Sequence, residues 1–100
     1  MSPRMPSASR RVEYFLMLTV TVISPEAVLF EGTSDSVVAP AYDGEVGILT
    51  GHAAMMTLLG RGILRVGSGG AQRFEIEGGF LQVVDNHVRV VTEQAKPARA

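Results

Sequence analysis

The sequence predicts an all-β fold, an antiparallel β-sandwich of two packed sheets with about ten short strands. Apolar and polar residues alternate along residues 18–22, 73–77 and 87–92. A period of two is typical of half-buried strands, and the Val, Ile, Thr and Phe that fill these runs favour extended backbone. Short strands that are separated by turn residues at this spacing indicate a sandwich or a barrel.

Turn residues separate the runs along the whole chain. They cluster at residues 24–26, 31–33, 40–44, 67–70 and 85–86. Asp85 and Asn86 predict a tight hairpin, because both residue types tolerate the positive φ that such a turn needs. Gly47 lies inside an apolar run and predicts a bulge, whereas Gly78 and Gly79, between two strands, predict a bulge or a sharp corner.

The predicted core follows from the apolar positions of the strands. Its members are Val20, Val22, Val38, Ile48, Leu64, Phe74, Ile76, Leu81, Val83, Val88 and Val90. Met55 and Met56 are expected to fill the same core, since methionine is apolar and flexible, although one of them facing a partner is the alternative. The segment around them, residues 51–59, fits a short helix or a strand equally well.

A chain of 100 residues forms one domain at most. Residues 1–16 are predicted to be a disordered arm, residues 17–95 the sandwich domain, and residues 96–100 a short tail, with Met17 a second candidate for the initiation residue. The apolar runs fall far short of the roughly 20 residues of a membrane helix, so no direct membrane insertion is expected. The absence of cysteine excludes disulfides and thiolate metal sites, and it suits a reducing compartment.

Charge is unevenly distributed along the chain. The net charge is −1, yet residues 17–95 hold nine acids and four arginines, and no basic residue lies between Arg11 and Arg61. A nucleic-acid surface needs a basic patch, so nucleic acid is not an expected partner. The acids fit either a solvated face or a basic protein partner.

His52 lies in a glycine-rich stretch, residues 43–56, that resembles an active-site loop. As a base it would need a nucleophile and an orienting acid, and the neighbouring Thr and acidic residues match no such spacing. His87 is the only other histidine, and neither HxH nor HExxH occurs. The glycines also lack the Lys and Ser or Thr of a phosphate-binding loop. We therefore predict no catalytic residue, no metal and no cofactor, and a loop that is suited to docking.

Several segments, taken in order, carry a resemblance to a known family. They are the Ser-Pro-Glu turn at residues 24–26, Leu-Phe-Glu-Gly at 29–32, the Gly-Glu-x-Gly to Gly-His-Ala loop at 44–53, and Gly-Gly-Phe to Val at 78–83. With them, the chain from about Leu18 to Ala95 resembles the N-terminal domain of the bacterial ATP synthase epsilon subunit.

This resemblance implies a non-catalytic subunit in the central stalk of a proton-translocating ATP synthase. Such a subunit docks the gamma subunit onto the polar loops of the c ring and couples proton flow to ATP synthesis. It lies peripherally, through the ATP synthase complex, at the cytoplasmic face of the bacterial inner membrane. Residue by residue, the resemblance implies a c-ring contact at Asp43, Gly44 and Glu45. It implies gamma contacts at Ser24, His52 and Thr57.

The chain departs from the family pattern at two points. Thr50 stands where the family usually has proline. Threonine restores the backbone N–H that proline lacks, and it leaves φ less restricted. Most relatives also continue into a C-terminal helical hairpin that inhibits ATP hydrolysis in many members and binds ATP in some. Only residues 96–100 follow the predicted domain, so either this is a short member or that part lies elsewhere, and we expect neither property here.

The residues leave two alternatives to the stalk subunit. A small ligand- or carbohydrate-binding sandwich would present aromatic residues along one face, and this chain has no Trp and no aromatic stripe. A small enzyme centred on His52 is the other alternative.

Overall fold

Ten short strands and one 3-10 turn make up residues 17–98, which are the residues that the computed structural model describes. The predicted arm at residues 1–16 lies outside them. In chain order the elements are β1 (Leu18–Ile23), β2 (Val28–Ser34), β3 (Ser36–Ala41), β4 (Gly44–Leu49), β5 (Met55–Leu58), β6 (Arg61–Val66), the turn Ser68–Gly70, β7 (Gln72–Glu77), β8 (Phe80–Val84), β9 (His87–Val91) and β10 (Gln94–Pro97).

The strands form two five-stranded sheets, which confirms the predicted sandwich. Sheet I has the order β2-β1-β9-β8-β5, and sheet II has the order β10-β7-β6-β3-β4. Within these sheets the paired strands are antiparallel except β1 and β9, which run parallel in the register Thr19↔His87 to Ile23↔Val91. This parallel pair was not anticipated, because alternation along a strand reports burial and not the direction of its neighbour.

The core lies between the sheets and contains ten of the eleven predicted residues, together with five that were not predicted, Leu18, Val37, Ala39, Leu59 and Val66. Its buried apolar members are Leu18, Val20, Val22, Val37, Ala39, Ile48, Leu59, Leu64, Val66, Phe74, Ile76, Leu81, Val83, Val88 and Val90. The prediction for Val38 was wrong, because β3 pairs Val37 with the buried Ile48 and Val66, and this register turns Val38 to the outer face. Met55 packs against the core as predicted, whereas Met56 is exposed.

Three local predictions can be compared with the backbone. Asp85 and Asn86 have φ of 48° and 63°, which confirms the tight hairpin between β8 and β9. The prediction of a bulge at Gly47 was wrong, because β3 and β4 pair in unbroken register from Ser36↔Leu49 to Ala41↔Gly44. Residues 51–59 contain the strand β5 and no helix.

One corner between the sheets is held by a hydrogen-bonded carboxylate. At Asp35 the chain passes from β2 in sheet I to β3 in sheet II. The Asp35 carboxylate accepts hydrogen bonds from the hydroxyl and the backbone N–H of Ser68 and from the Ser36 hydroxyl. These bonds, that from the Ser68 hydroxyl above all, lower the pKa of the Asp35 carboxyl below its ordinary value of 3.8. The corner is thereby tied to the turn between β6 and β7.

The opposite corner, at Gly78 and Gly79, confirms the sharp corner that the sequence predicts between these two strands. Here the chain passes from β7 in sheet II to β8 in sheet I, with φ of 72° and 97°. A Cβ on Gly79 would overlap the carbonyl oxygen of Val91 and would lie 2.7 Å from the Cα of Thr92. The buried Thr92 hydroxyl lies 3.0 Å from the Gly78 carbonyl oxygen and 2.9 Å from that of Gln94. Only glycine therefore fits where the two sheets meet.

We predict that Gly79→Ala lowers the free energy of unfolding by at least about 3 kcal/mol, because the new Cβ meets backbone and the positive φ is strained. Urea denaturation followed by circular dichroism measures the change. Gly47→Ala is the matched control, since an added Cβ there meets no atom within 4 Å, and its effect should stay within about 0.5 kcal/mol. Equal stability of the two variants would contradict this account of the corner.

Candidate functional site

The predicted c-ring residues lie at one end of the sandwich, which we call the hairpin end. Hydrogen bonds join several loops there. Tyr42 N donates to the carbonyl of Leu58 (3.0 Å), Leu59 N donates to Gly79 (2.9 Å), and Gly60 N donates to Pro40 (2.8 Å). The loop between β3 and β4 is therefore fastened to both sheets.

The β3–β4 hairpin has a two-residue loop, Tyr42 and Asp43, between the paired Ala41 and Gly44. Gly44 has a φ of 130°, which is open to glycine and strained for other residues. Tyr42 is 69% exposed, and Asp43 is also exposed. The loop thus presents an aromatic ring and a carboxylate to the surroundings on a short, hydrogen-bonded turn.

Glu45, two residues beyond Asp43, already has a partner. The Nη2 atom of Arg65 lies 3.2 Å from each carboxylate oxygen of Glu45. Arg65 belongs to β6, so the pair reaches across β3 on the outer face of sheet II. Among residues 17–98 the Asp43 carboxylate, by contrast, takes part in no ion pair.

A row of apolar side chains crosses the outer face of sheet I near the hairpin end. Strand pairing places one member on each strand: Ile23 opposite Val28 and Val91, Val91 opposite Phe80, and Phe80 opposite Leu58. We call Val28, Ile23, Val91, Phe80 and Leu58 the apolar row. Val28 and Leu58 are 59% and 64% exposed, and the three central members are half-buried. Outward positions of a solvated sheet are ordinarily polar, so this row is an exception.

The three residues that were predicted to face gamma do not form one cluster. Ser24 follows β1 at the hairpin end, next to the apolar row. Thr57 lies on the edge strand β5, between the exposed Met56 and Leu58, and pairs with the buried Leu81. His52 lies toward the other end, beside Gly51, whose N–H donates to Asn86 Oδ1 (2.7 Å).

His52 is bonded to its own loop. Its Nδ1 atom lies 2.7 Å from the carbonyl oxygen of Ala53, and its backbone N–H donates to Leu49 O (3.2 Å). Among residues 17–98, His, Cys, Asp and Glu form no group of three that could hold a metal ion. In the same part of the chain no helix is long and apolar enough to cross a membrane.

Two features of the site were missed from the sequence. The pairing of Glu45 with Arg65 joins residues 20 apart, and nothing local to either residue signals it. The apolar row did leave a signal, since Ile23, Val91 and Phe80 are apolar at outward positions near strand ends. The register between strands is needed to show that these positions line up.

Comparisons with known proteins agree with this architecture. The family model for the ATP synthase delta/epsilon chain β-sandwich domain matches residues 17–98. The chain is 43% identical over 77 residues to the ATP synthase epsilon chain of Leptospira borgpetersenii serovar Hardjo-bovis, covering 76% of this chain and 61% of that one. It is 38% identical over 82 residues to the epsilon chain of Synechococcus sp. (strain JA-2-3B'a(2-13)), covering 81% and 60%. The chain thus spans about three-fifths of the length of these relatives.

Solved structures show the same fold. A chain of the Euglena gracilis mitochondrial ATP synthase, solved by cryo-electron microscopy as an OSCP/F1/c-ring assembly, superposes with a TM-score of 0.75 at 25% identity, over 97% of this chain and 71% of that one. A chain of the Tetrahymena thermophila enzyme, in its central stalk and c ring, has a TM-score of 0.66 at 18% identity, over 79% and 65%. Together with the family match, these findings show that the chain belongs to the ATP synthase delta/epsilon chain β-sandwich family.

Proposed function

We propose that the chain is a non-catalytic rotor subunit of a proton-translocating ATP synthase, which docks gamma onto the c ring and couples proton flow to ATP synthesis. Family membership and the epsilon-chain relatives support this function. The observation that carries it is the apolar row, because it gives the sandwich a docking face beside the acidic hairpin. The subunit would lie at the periphery of the bacterial inner membrane, on its cytoplasmic face.

Gamma is the partner that we assign to the outer face of sheet I. Contiguous exposed apolar surface is uncommon on soluble monomers and marks interaction sites. The apolar row crosses all five strands of the sheet, and the exposed Met56 extends it along β5. Ser24, beside Ile23, would then border the gamma interface. Thr57, on the inner side of the edge strand β5, would meet gamma only if the interface wraps around that edge, and His52 only if the interface runs the length of β5.

The c ring is the partner that we assign to the hairpin end. Asp43 lies there on the loop, with Gly44 and Glu45 at the start of β4, and backbone hydrogen bonds fasten this loop to both sheets. A fixed turn loses little conformational freedom on binding, and its acids would select a basic loop and orient it. The two proposed contacts would then lie on adjoining surfaces, as a subunit that joins two partners requires.

We predict that Leu58→Ser weakens binding to gamma by about tenfold, because a fully buried leucine contributes about 1.5–3 kcal/mol and each 1.4 kcal/mol corresponds to tenfold. Binding is measured by surface plasmon resonance with immobilised gamma. Leu49→Ser is the matched control, since Leu49 is also 64% exposed but lies on β4, at the outer edge of sheet II. Equal weakening by both variants would mean that gamma does not recognise this face.

We predict that reversing both hairpin acids, in Asp43→Lys/Glu45→Lys, uncouples the enzyme. ATP-driven proton pumping by reconstituted vesicles should fall to a small fraction of the normal rate, because like charges that meet at an interface cost several kcal/mol. ATP hydrolysis should continue. The matched control is Glu75→Lys/Glu77→Lys, which makes the same charge change on β7 and also breaks surface ion pairs. Normal pumping by the hairpin variant, or equal loss in the control, would argue against a hairpin contact.

A further inference from the structure

We propose that Arg65 and Arg73, on the outer face of sheet II, form a binding site for a carboxylate group. The apolar row lies on the other sheet, and neither arginine belongs to the contacts proposed above, so this site goes beyond the proposed function. Its ligand is defined by its chemistry as a single carboxylate, either free in a small molecule or carried on an acidic side chain of another protein.

The two arginines lie directly opposite each other on neighbouring strands, because β6 and β7 pair in the register Arg65↔Arg73. Leu64 and Phe74, the paired residues beside them, are buried in the core, so the alternation of each strand turns both arginines to the outer face. Opposed residues in an antiparallel pair have Cβ atoms about 4.5–5.5 Å apart, and like charges at this spacing destabilise the sheet. An anion between the two guanidinium groups would offset that repulsion.

The turn that precedes β7 brings the two side chains together. A Cβ on Gly70 would lie 3.5 Å from Cδ of Arg65 and 3.7 Å from both Cγ and Cδ of Arg73. Both aliphatic stems therefore pass over the same bare residue and lie side by side where they leave the sheet. The φ of Gly70 is 69°, which favours glycine, so the turn keeps this space open.

The two guanidinium groups differ in their partners. Nη2 of Arg65 lies 3.2 Å from each carboxylate oxygen of Glu45. Arg73 is half-buried, makes no ion pair with any of residues 17–98, and has a buried Nε atom with no hydrogen-bond partner among them. No other side-chain nitrogen or oxygen that is buried in this part of the chain lacks a partner. A buried charge without a partner is costly, so Arg73 is the group that a bound anion would stabilise.

The nearest acid along β7 does not fill this role. Glu75 lies two residues from Arg73 on the same face, but its carboxylate lies 3.8 Å from Nζ of Lys96 on β10. Within the described range, 17–98, Glu75 forms no ion pair with either arginine. The acids of this face thus leave Arg73 uncompensated, and a carboxylate from outside the chain can take the place.

A carboxylate is the anion that this pair of arginines suits. Arginine donates two parallel N–H bonds to the oxygens of a carboxylate or of a phosphate, so geometry allows either. Charge separates them, because Arg65, Arg73 and Glu45 together carry one positive charge, which a carboxylate neutralises. A phosphate monoester carries about −1.5 to −2 at pH 7. The Asp35 carboxylate, bonded to Ser68 of the adjoining turn, would repel that excess charge.

The test follows two N–H signals of the full chain by NMR, those of Arg73 Nε and of the Gly70 backbone. The Nε atom is buried, so its proton is shielded from water and its signal persists. Sodium acetate replaces sodium chloride at constant ionic strength, since salt alone screens exposed charges. We expect both signals to shift and to saturate with acetate. Inorganic phosphate at the same ionic strength should bind more weakly than acetate.

Substitutions identify the groups that bind, with the Gly70 signal as reporter. Arg73→Gln and Arg65→Gln should each weaken acetate binding by about tenfold, since a charge-assisted hydrogen bond is lost. Glu45→Gln should tighten it by about fivefold, because it removes the acid that competes for Arg65. Circular dichroism confirms that each variant folds.

Glu93→Gln is the matched control, because it makes the same charge change as Glu45→Gln elsewhere. The Glu93 carboxylate lies against Gly78, five residues along the chain from Arg73 and roughly 16 Å away at the rise of a strand. This distance exceeds the Debye length of about 8 Å at 0.15 M salt. Acetate affinity should therefore change by less than about twofold.

The outcomes separate the site from its ligand. Equal shifts with chloride and acetate, or unchanged acetate affinity in Arg73→Gln, would overturn the site. Tighter binding of phosphate than of acetate would overturn its assignment to carboxylates. A blocked tripeptide, acetyl-Ala-Glu-Ala-amide, then identifies the source. Binding tighter than that of acetate supports an acidic side chain of a protein, and equal or weaker binding supports a small carboxylate.

Discussion

The close approach of Gly79 to the backbone of Val91 and Thr92 is the constraint on which the rest of the structure depends. At this point the chain leaves β7 in sheet II and enters β8 in sheet I, and no side chain fits between the two segments. The Thr92 hydroxyl lies within hydrogen-bonding distance of the Gly78 carbonyl oxygen at the corner and of the Gln94 carbonyl oxygen on β10. The β7–β8 corner is therefore packed backbone against backbone on the end of β9, and both Phe80 and Val91 of the apolar row lie next to this contact.

The outer faces of the two sheets differ in a way that suits different roles. Sheet II carries three ion pairs, Arg61–Glu77, Arg65–Glu45 and Lys96–Glu75, at 3.9, 3.2 and 3.8 Å. Such exposed pairs add little stability, but they leave those charges satisfied without a partner protein. Sheet I instead presents an apolar row that water solvates poorly. The molecule thus has one face that is self-sufficient except at Arg73 and one that gains from being covered.

Alternation along single strands was enough to predict the fold class and ten of the fifteen buried apolar residues of the core. It failed at Val38, because Ser36–Ala41 has apolar residues at both parities and only pairing with β4 and β6 selects the inner set. It also could not reveal the parallel β1–β9 pair or the Arg65–Glu45 contact, which join distant residues. The docking assignments came from the resemblance. The structure places their residues on exposed or half-exposed positions, and the assignments themselves stay predictions.

The parallel pairing of β1 with β9 has a consequence for the order of events during synthesis. β1 needs as its second neighbour β9, the central strand of sheet I, which is translated some 66 residues later, as the contact between Thr21 and His87 shows. Closing so long a loop is entropically costly and slows folding. Until Val91 has left the ribosome the sheet is split, and the apolar row is two separate fragments. The apolar row therefore becomes one continuous surface only when β9 joins the two halves of sheet I.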